Sequence, residues 1–276
     1  MLKAANLAIN FDNLSIPAKR SSAPSVILEN VSFAFSDEEI FRSLNFTVRG
    51  GQWTCLIGPS GCGKSTLLRL ISGTLREGLS GEIRFRDGNS HNGFTAWMAQ
   101  KDLLLPWLTV LDNVCLGARL RGEMSAERHE KAISLLKDAG LGAYSNSLPS
   151  ELSGGMRQRV ALLRTLMEER SVILMDEPFS ALDALTRLKL QDLAADMVKG
   201  ATVLMVTHDP LEALRLGHGI YVMTGRPAQL SDPLIPPGLP PRNPGDPAIV
   251  ALQAELIDRL SRTSHEKFGI EGGDRT

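Results

Sequence analysis

The 276-residue chain is 43% hydrophobic with a net charge of −1, enough apolar content for a large core and too little positive charge for a nucleic-acid footprint. Its three cysteines stand singly without metal-ligand spacing, which fits a reducing compartment. No apolar run approaches the about 18 residues of a membrane span, and Asn6, Asn10, Asp12 and Asn13 interrupt the start where a secretory signal needs a compact apolar segment.

Residues 1–25 end in the stretch Pro17 to Pro24 and read as a loosely ordered leader. Val26–Leu28, Val31–Phe35 and Leu44–Val48 alternate apolar and polar side chains, as half-buried antiparallel strands do. Trp53–Ile57 is apolar and partly β-branched, which predicts a buried strand. It runs into Gly58, Pro59, Ser60, Gly61, Cys62, Gly63, Lys64, Ser65 and Thr66, and then Leu67, Leu68, Leu70 and Ile71 recur at helical spacing as far as Gly73. Strand, GxxxxGK[ST] loop and helix together form the context of a phosphate-binding loop. The glycines let successive backbone N–H groups point inward, and the positive end of the helix favours phosphate oxygens. Lys64 then reaches the β- and γ-phosphates, and the Ser65 hydroxyl ligates Mg²⁺. Cys62 adds only a small side chain to the loop.

Short strands are expected at Gly81–Phe85 and Phe94–Ala99. Helices are expected where Leu111, Val114, Cys115 and Ala118, then Ala132, Leu135, Leu136 and Ala139, keep the 3.6-residue period, and a third over 154–168. Val172–Met175 and Thr202–Val206 are apolar strands around a helix near 184–199, an alternation that predicts a parallel α/β sheet. The strand at 172 ends in Asp176 and Glu177. After a phosphate loop, Asp176 is placed to hold Mg²⁺ and Glu177 to orient or deprotonate a water. From Arg226 the composition turns proline-rich, an extended arm leading to an amphipathic helix around Ile249 to Leu260.

Leu152–Ser153–Gly154–Gly155–Met156 resembles the LSGGQ signature of ATP-binding cassette (ABC) proteins, with Met156 in place of the usual glutamine. The likeness spans roughly residues 26–225, with the motifs in the family's order. It implies a P-loop NTPase core with a mixed sheet, an antiparallel β subdomain and an inserted helical subdomain at about 101–168, followed by the arm over 226–276. It also implies ATP and Mg²⁺ as ligands. Phe35 falls where the family stacks an aromatic ring on adenine, although without the family match the core-aromatic reading is favoured. Gln100 matches the glutamine used near Mg²⁺ and the attacking water. Ser180–Asp183 matches the D-loop, in which Asp183 also reads as a helix cap. His208 matches the switch histidine at the γ-phosphate, against the plainer reading of a buried core histidine. Ser153, Gly154 and Gly155 would close over ATP bound to a second copy, so the resemblance implies a head-to-tail homodimer.

Lys101–Asn113, with the apolar run Leu103–Leu108 around Pro106 and Trp107, resembles the importer ATPases of the nitrate, sulfonate and taurine group, which includes pyrimidine thiamine-precursor importers. That likeness implies an ATPase subunit at the cytoplasmic face of the inner membrane, coupled to a separate permease and indirectly to a solute-binding protein, with no nucleic-acid partner. The same leucines read alternatively as subdomain core. The competing reading is a soluble ABC ATPase of cofactor assembly, and the signature disfavours a plain P-loop kinase. Under the importer reading the solute never touches this chain.

Overall fold

The computed structural model describes residues 23–36, 38–86 and 95–265. The leader through residue 22, and Phe94 at the head of one expected strand, lie outside the described residues.

In chain order, β1 (Val26–Phe35) and β2 (Glu38–Val48) pair antiparallel, β3 (Trp53–Ile57) is buried throughout, and α1 (Lys64–Ser72) follows the glycine loop. After β4 (Ser80–Phe85) and β5 (Thr95–Met98) comes a helical section of α2 (Val110–Val114), α3 (Leu116–Leu120), α4 (Ala126–Asp138) and α5 (Gly154–Leu166). The chain then runs through β6 (Val172–Asp176), α6 (Ala184–Met197), β7 (Thr202–Val206), α7 (Pro210–Leu216), β8 (Gly219–Thr224), β9 (Gln229–Leu230) and α8 (Pro247–His265). One sheet has the order β2-β1-β4 and is antiparallel; the other has the order β5-β6-β7-β3-β8-β9, parallel except for β9. This is the expected mixed α/β architecture.

The continuous apolar runs have a physical reason: the parallel sheet is buried on both faces. Leu56, Leu174, Leu204 and Val206 point to a core shared with Leu67 and Leu68 of α1 and Phe41 of the antiparallel sheet. Their neighbours Cys55, Ile57, Ile173, Met175 and Met205 point the other way, onto Val160 and Leu163 of α5 and Leu214 of α7. A two-residue period therefore sorts the central strands of the parallel sheet between two cores.

The structure departs from expectation in four places. The segments at 26–28 and 31–35 are one strand, bent at Asn30 with φ 50° and a register shift between Leu28 and Val31. The helix expected around 111–118 is split at Cys115 into α2 and α3. α7, β8 and β9 had no counterpart in the sequence reading. The arm also folds back: β9 pairs with β8, Leu234 bridges Ile220, and Ile249 and Leu256 of α8 are buried beside α7.

Asn113 organises the segment after Gln100. It is fully buried, its Oδ1 accepts the Leu105 N–H at 2.8 Å, and its Nδ2 donates to the carbonyls of Leu105, Leu108 and Thr109 at 3.1, 3.1 and 3.0 Å. The loop it holds buries Leu104 but leaves Leu103 and Trp107 at 57% and 71% exposure. The reading of this run as subdomain core therefore holds for Leu104 but not for Leu103 or Trp107. The Leu105 and Thr109 carbonyls have second donors, from the N–H groups of Leu108 and Asn113. Asn113→Ala thus orphans mainly the Leu105 N–H and the Leu108 carbonyl, and is expected to cost about 2–4 kcal/mol, read as a lowered urea midpoint at unchanged slope.

Candidate functional site

The site is assembled where the parallel strands end. β3 runs directly into the phosphate loop, which has to pass close under β8: a Cβ on Gly58 would lie 2.1 Å from the Met223 carbonyl oxygen. Gly63 caps α1 at φ 105°, a left-handed conformation that glycine adopts without strain, and a Cβ there would press on Ile40 at 2.8 Å. Lys64 is buried, its ammonium donating to the carbonyls of Gly58 at 2.7 Å and Pro59 at 2.9 Å. Its third contact is a long one, to Cys62 Sγ at 3.9 Å, which a stronger acceptor can displace. Arg226, the first residue of the arm, donates to the Gly61 carbonyl at 2.8 Å and pairs with Glu38.

The end of β6 supplies the acids. Asp176 is 4% exposed; burial pushes its carboxyl up, while a hydrogen bond from Ser65 and the charge of Lys64 pull it down and the charge of Glu177 pushes it further up. A hydroxyl and a partly desolvated carboxylate side by side are hard oxygen donors that fit Mg²⁺, and the Oε1 of Gln100 is a third. Glu177, at φ 51°, is held by its N–H to the Val206 carbonyl at 2.8 Å. Its two oxygens are engaged separately. Oε2 accepts from Gln100 Nε2 at 3.2 Å, and Oε1 lies 3.2 Å from His208 Nδ1. His208 is 63% exposed, so the alternative of a core histidine is not realised. Phe35 likewise stands 43% exposed, edge-on to Phe33 at 4.7 Å between centroids, rather than in the core.

Ser153, Gly154 and Gly155 begin α5, with Ser153 Oγ capping the Met156 N–H at 3.3 Å. Among the described residues no hydrogen bond joins them to the phosphate loop of their own chain. They pack instead on the D-loop, where a Cβ on Gly155 would meet the Ala181 carbonyl oxygen at 2.8 Å. Met156 packs against the helical core. Asp183 caps α6 by accepting the Thr186 N–H at 3.0 Å, and its carboxyl is lowered first by the Thr186 hydroxyl and then by this N–H. The cap and the D-loop position are the same residue.

Three supporting residues escaped the sequence reading. Gln158 in α5 donates to the Glu177 carbonyl at 2.8 Å and Ser180 Oγ at 3.1 Å, and accepts the Ala181 N–H at 2.7 Å. A glutamine on the apolar face of a helix, four residues after Gly154, was its signal. Arg187 reaches the Leu182 carbonyl at 3.1 Å and Asp209 at 2.8 Å, and lies 3.5 Å from Glu212. Glu212 accepts from the Thr207 hydroxyl at 2.6 Å, one residue before His208. The D-loop and the His208 loop thus share one guanidinium.

The family model for ABC transporters matches residues 41–180. An uncharacterized ABC transporter ATP-binding protein of Haemophilus influenzae is 44% identical over 85% of this chain and 98% of its own length. The aliphatic sulfonates import ATP-binding protein SsuB 1 of Rhodococcus jostii is 41% identical over 84% of this chain and 92% of its own. Among solved structures, the dimeric post-hydrolysis state of an ATP-binding cassette bound to ADP and Pi superposes with a TM-score of 0.67 at 30% identity, covering 78% of this chain and all of that one.

Glu212 makes the support layer testable. Burial raises its carboxyl from 4.5 to about 7, opposed by the Thr207 hydrogen bond, reinforced by Asp209 and opposed again by Arg187 and His208. Between those values the folded state keeps a proton that the unfolded state has lost, so this group's contribution to stability falls as pH rises from 4.5 to about 7 and is level above. Glu212→Gln removes the dependence. Urea titrations across that window should find the variant gaining on the wild type by up to about 3 kcal/mol. A difference that stays flat with pH would place the ionisation of Glu212 elsewhere.

Proposed function

The chain belongs to the ABC transporter ATP-binding family, and from that premise we propose that it is the ATP-hydrolysing subunit of an importer in the nitrate, sulfonate and taurine group. The carrying observation is convergence: Gln100 and His208 each engage one oxygen of Glu177, next to a buried Asp176 whose carboxyl the Ser65 hydroxyl pulls down. Phosphoryl transfer to water asks the protein for positioning and charge stabilisation more than for covalent chemistry.

Phe35 stacks on adenine, and the loop Gly58 to Thr66, through Lys64 and the amides after Pro59, holds the phosphates. Glu177 accepts a proton from, or orients, the attacking water; Gln100 and His208 fix the direction of its carboxylate. Ser65, Asp176 and Gln100 would hold Mg²⁺, whose charge, when bound, offsets that building on the phosphate oxygens. The outward-facing Ser153, Gly154 and Gly155 act on nucleotide in a second copy, with Asp183 lining the same seam. Glu177→Gln should lower turnover by roughly 10²–10⁴-fold while ATP binding persists. Retained turnover would remove Glu177 from the role of base.

No helix among the described residues is long and apolar enough to cross a membrane. In this reading the chain sits peripherally on the cytoplasmic face, bound to a permease that a solute-binding protein supplies. The exposed segment Leu103–Leu108 is the permease contact. It adjoins Gln100, and it is tied to α5 by Arg157 on Asp102 at 3.1 Å and by Arg164 on the carbonyls of Asp102 at 2.7 Å and Leu103 at 2.8 Å. A cavity of about 410 Å³ between Gln100–Leu103 and Gly154, Gln158, Ser180 and Ala181 opens beside it. A permease element pressing here would act on the signature helix and on Gln100 together. Trp107→Ala is therefore expected to leave the subunit's melting temperature within about 2 °C, because the side chain is exposed, while transport in the assembled complex falls. A clear loss of thermal stability would identify Trp107 as a packing residue and sink the docking role.

A further inference from the structure

At the opposite end of the parallel sheet from the phosphate loop, the proline-rich arm closes over the starts of β3 and β8. Beneath it is a cavity of about 280 Å³ whose polar lining includes Arg49, Gln52, Thr54, His218, Tyr221 and Arg242, with no aspartate or glutamate. Pro233, Ile235 and Pro236 of the arm supply an apolar wall.

Arg242 sets the charge of this cavity. It is 7% exposed, and all five of its N–H donors are used: by the carbonyls of Leu214 and Gly217 at the end of α7, and of Pro236, Pro237 and Gly238 in the arm. Among the described residues no carboxylate pairs with it. Hydrogen bonding is complete, yet the positive charge is met only by carbonyl dipoles, and a helix end offers about half a unit charge. The field is felt next door. His218 has its imidazole pulled below the ordinary histidine range, first by burial and then by Arg242. Its Nδ1 accepts the Trp53 N–H at 3.1 Å, which leaves Nε2 to carry the ring proton as a donor. Arg49 at the mouth is exposed and has no ion pair among the described residues. The adjoining cavity of about 250 Å³, which shares His218, carries Lys199 and Asp196, charges of opposite sign.

We propose that this cavity is a binding site for a small organic oxyanion, a carboxylate, sulfonate or phosphate on a short apolar body, held between the strand ends and the arm. Arg49 engages the anionic head with charge-assisted hydrogen bonds, donors from Gln52, His218 and the Tyr221 hydroxyl complete its shell, and Arg242 supplies field rather than donors. The apolar body lies on the arm, so binding braces the arm against the sheet. The site is remote from the nucleotide and makes no use of its chemistry.

The test is calorimetric titration of the full chain saturated with ADP, so that the phosphate loop is already filled. The probes are butanesulfonate, butyrate and butyl phosphate, with inorganic sulfate and phosphate as the same heads without a body and butanol as the body without a head. The expected result is saturable binding of at least one organic anion, weakened about tenfold or more in Arg49→Gln and measurably in Tyr221→Phe, with inorganic ions weaker and butanol silent. Tyr221→Phe keeps the ring that packs edge-on against Phe46 at 5.1 Å, so it removes the hydroxyl alone. Basal ATP hydrolysis should stay at the wild-type rate in both variants. Absence of saturable binding, equal binding by inorganic ions, or affinities unchanged in Arg49→Gln would each overturn the proposal.

Discussion

Negative charge has to be held together at the ends of β6 and β7. Asp176 and Glu177 leave one strand, Asp209 and Glu212 follow the next, and the proposed ligand is itself a polyanion. Carboxylates this close raise one another's proton affinity unless cations and dipoles are fixed among them. The structure offsets this in part, with Lys64 near Asp176, His208 and Gln100 on separate oxygens of Glu177, and Arg187 between Asp209 and Glu212, although burial still leaves Asp176 raised and Glu212 at about 7. Parallel strands make this possible, because every C-terminal strand end opens onto one edge and one cluster of loops. The antiparallel sheet and the helical section lie on the two faces and leave that edge clear.

Much of this was legible in the sequence for the same reason. A sheet buried on both faces requires unbroken apolar strands, and 53–57, 172–176 and 202–206 are such runs, each ending in the residues that carry the chemistry. What stayed hidden depends on tertiary contacts. α7 is only seven residues, too short for a helical period to emerge, and its start at Pro210 follows closely on His208. Gln158, Arg187 and Glu212 look like ordinary helix residues until the D-loop is folded against them. The arm was readable as proline-rich, but not its return to the sheet, which rests on Arg242 collecting carbonyls from two separate segments.

Exposure decided what composition left open. Phe35, Trp107 and His208 could each have filled a core, and each stands out of it. Met156 went the other way. Where the family pattern has glutamine, this chain places an apolar side chain against the helical core, so the signature retains the Ser153 hydroxyl and two glycine amides as its polar offer. Those groups are exposed or half-exposed and have no partner in their own phosphate loop among the described residues. Amides at an N-terminal helix turn are suited to an anion, which is the role proposed for them.

The position of α5 links the two ends of the proposed mechanism. α5 begins with the signature, is anchored by Gln158 to the Glu177 carbonyl, and is gripped by Asp102 and Leu103 through Arg157 and Arg164. One rigid helix therefore touches the surface proposed for a second copy's nucleotide, the backbone of the proposed base, and the segment proposed for the permease. A displacement at any of the three is transmitted by packing, since a helix of this length moves as a body rather than bending. In such an arrangement hydrolysis and docking share a single part.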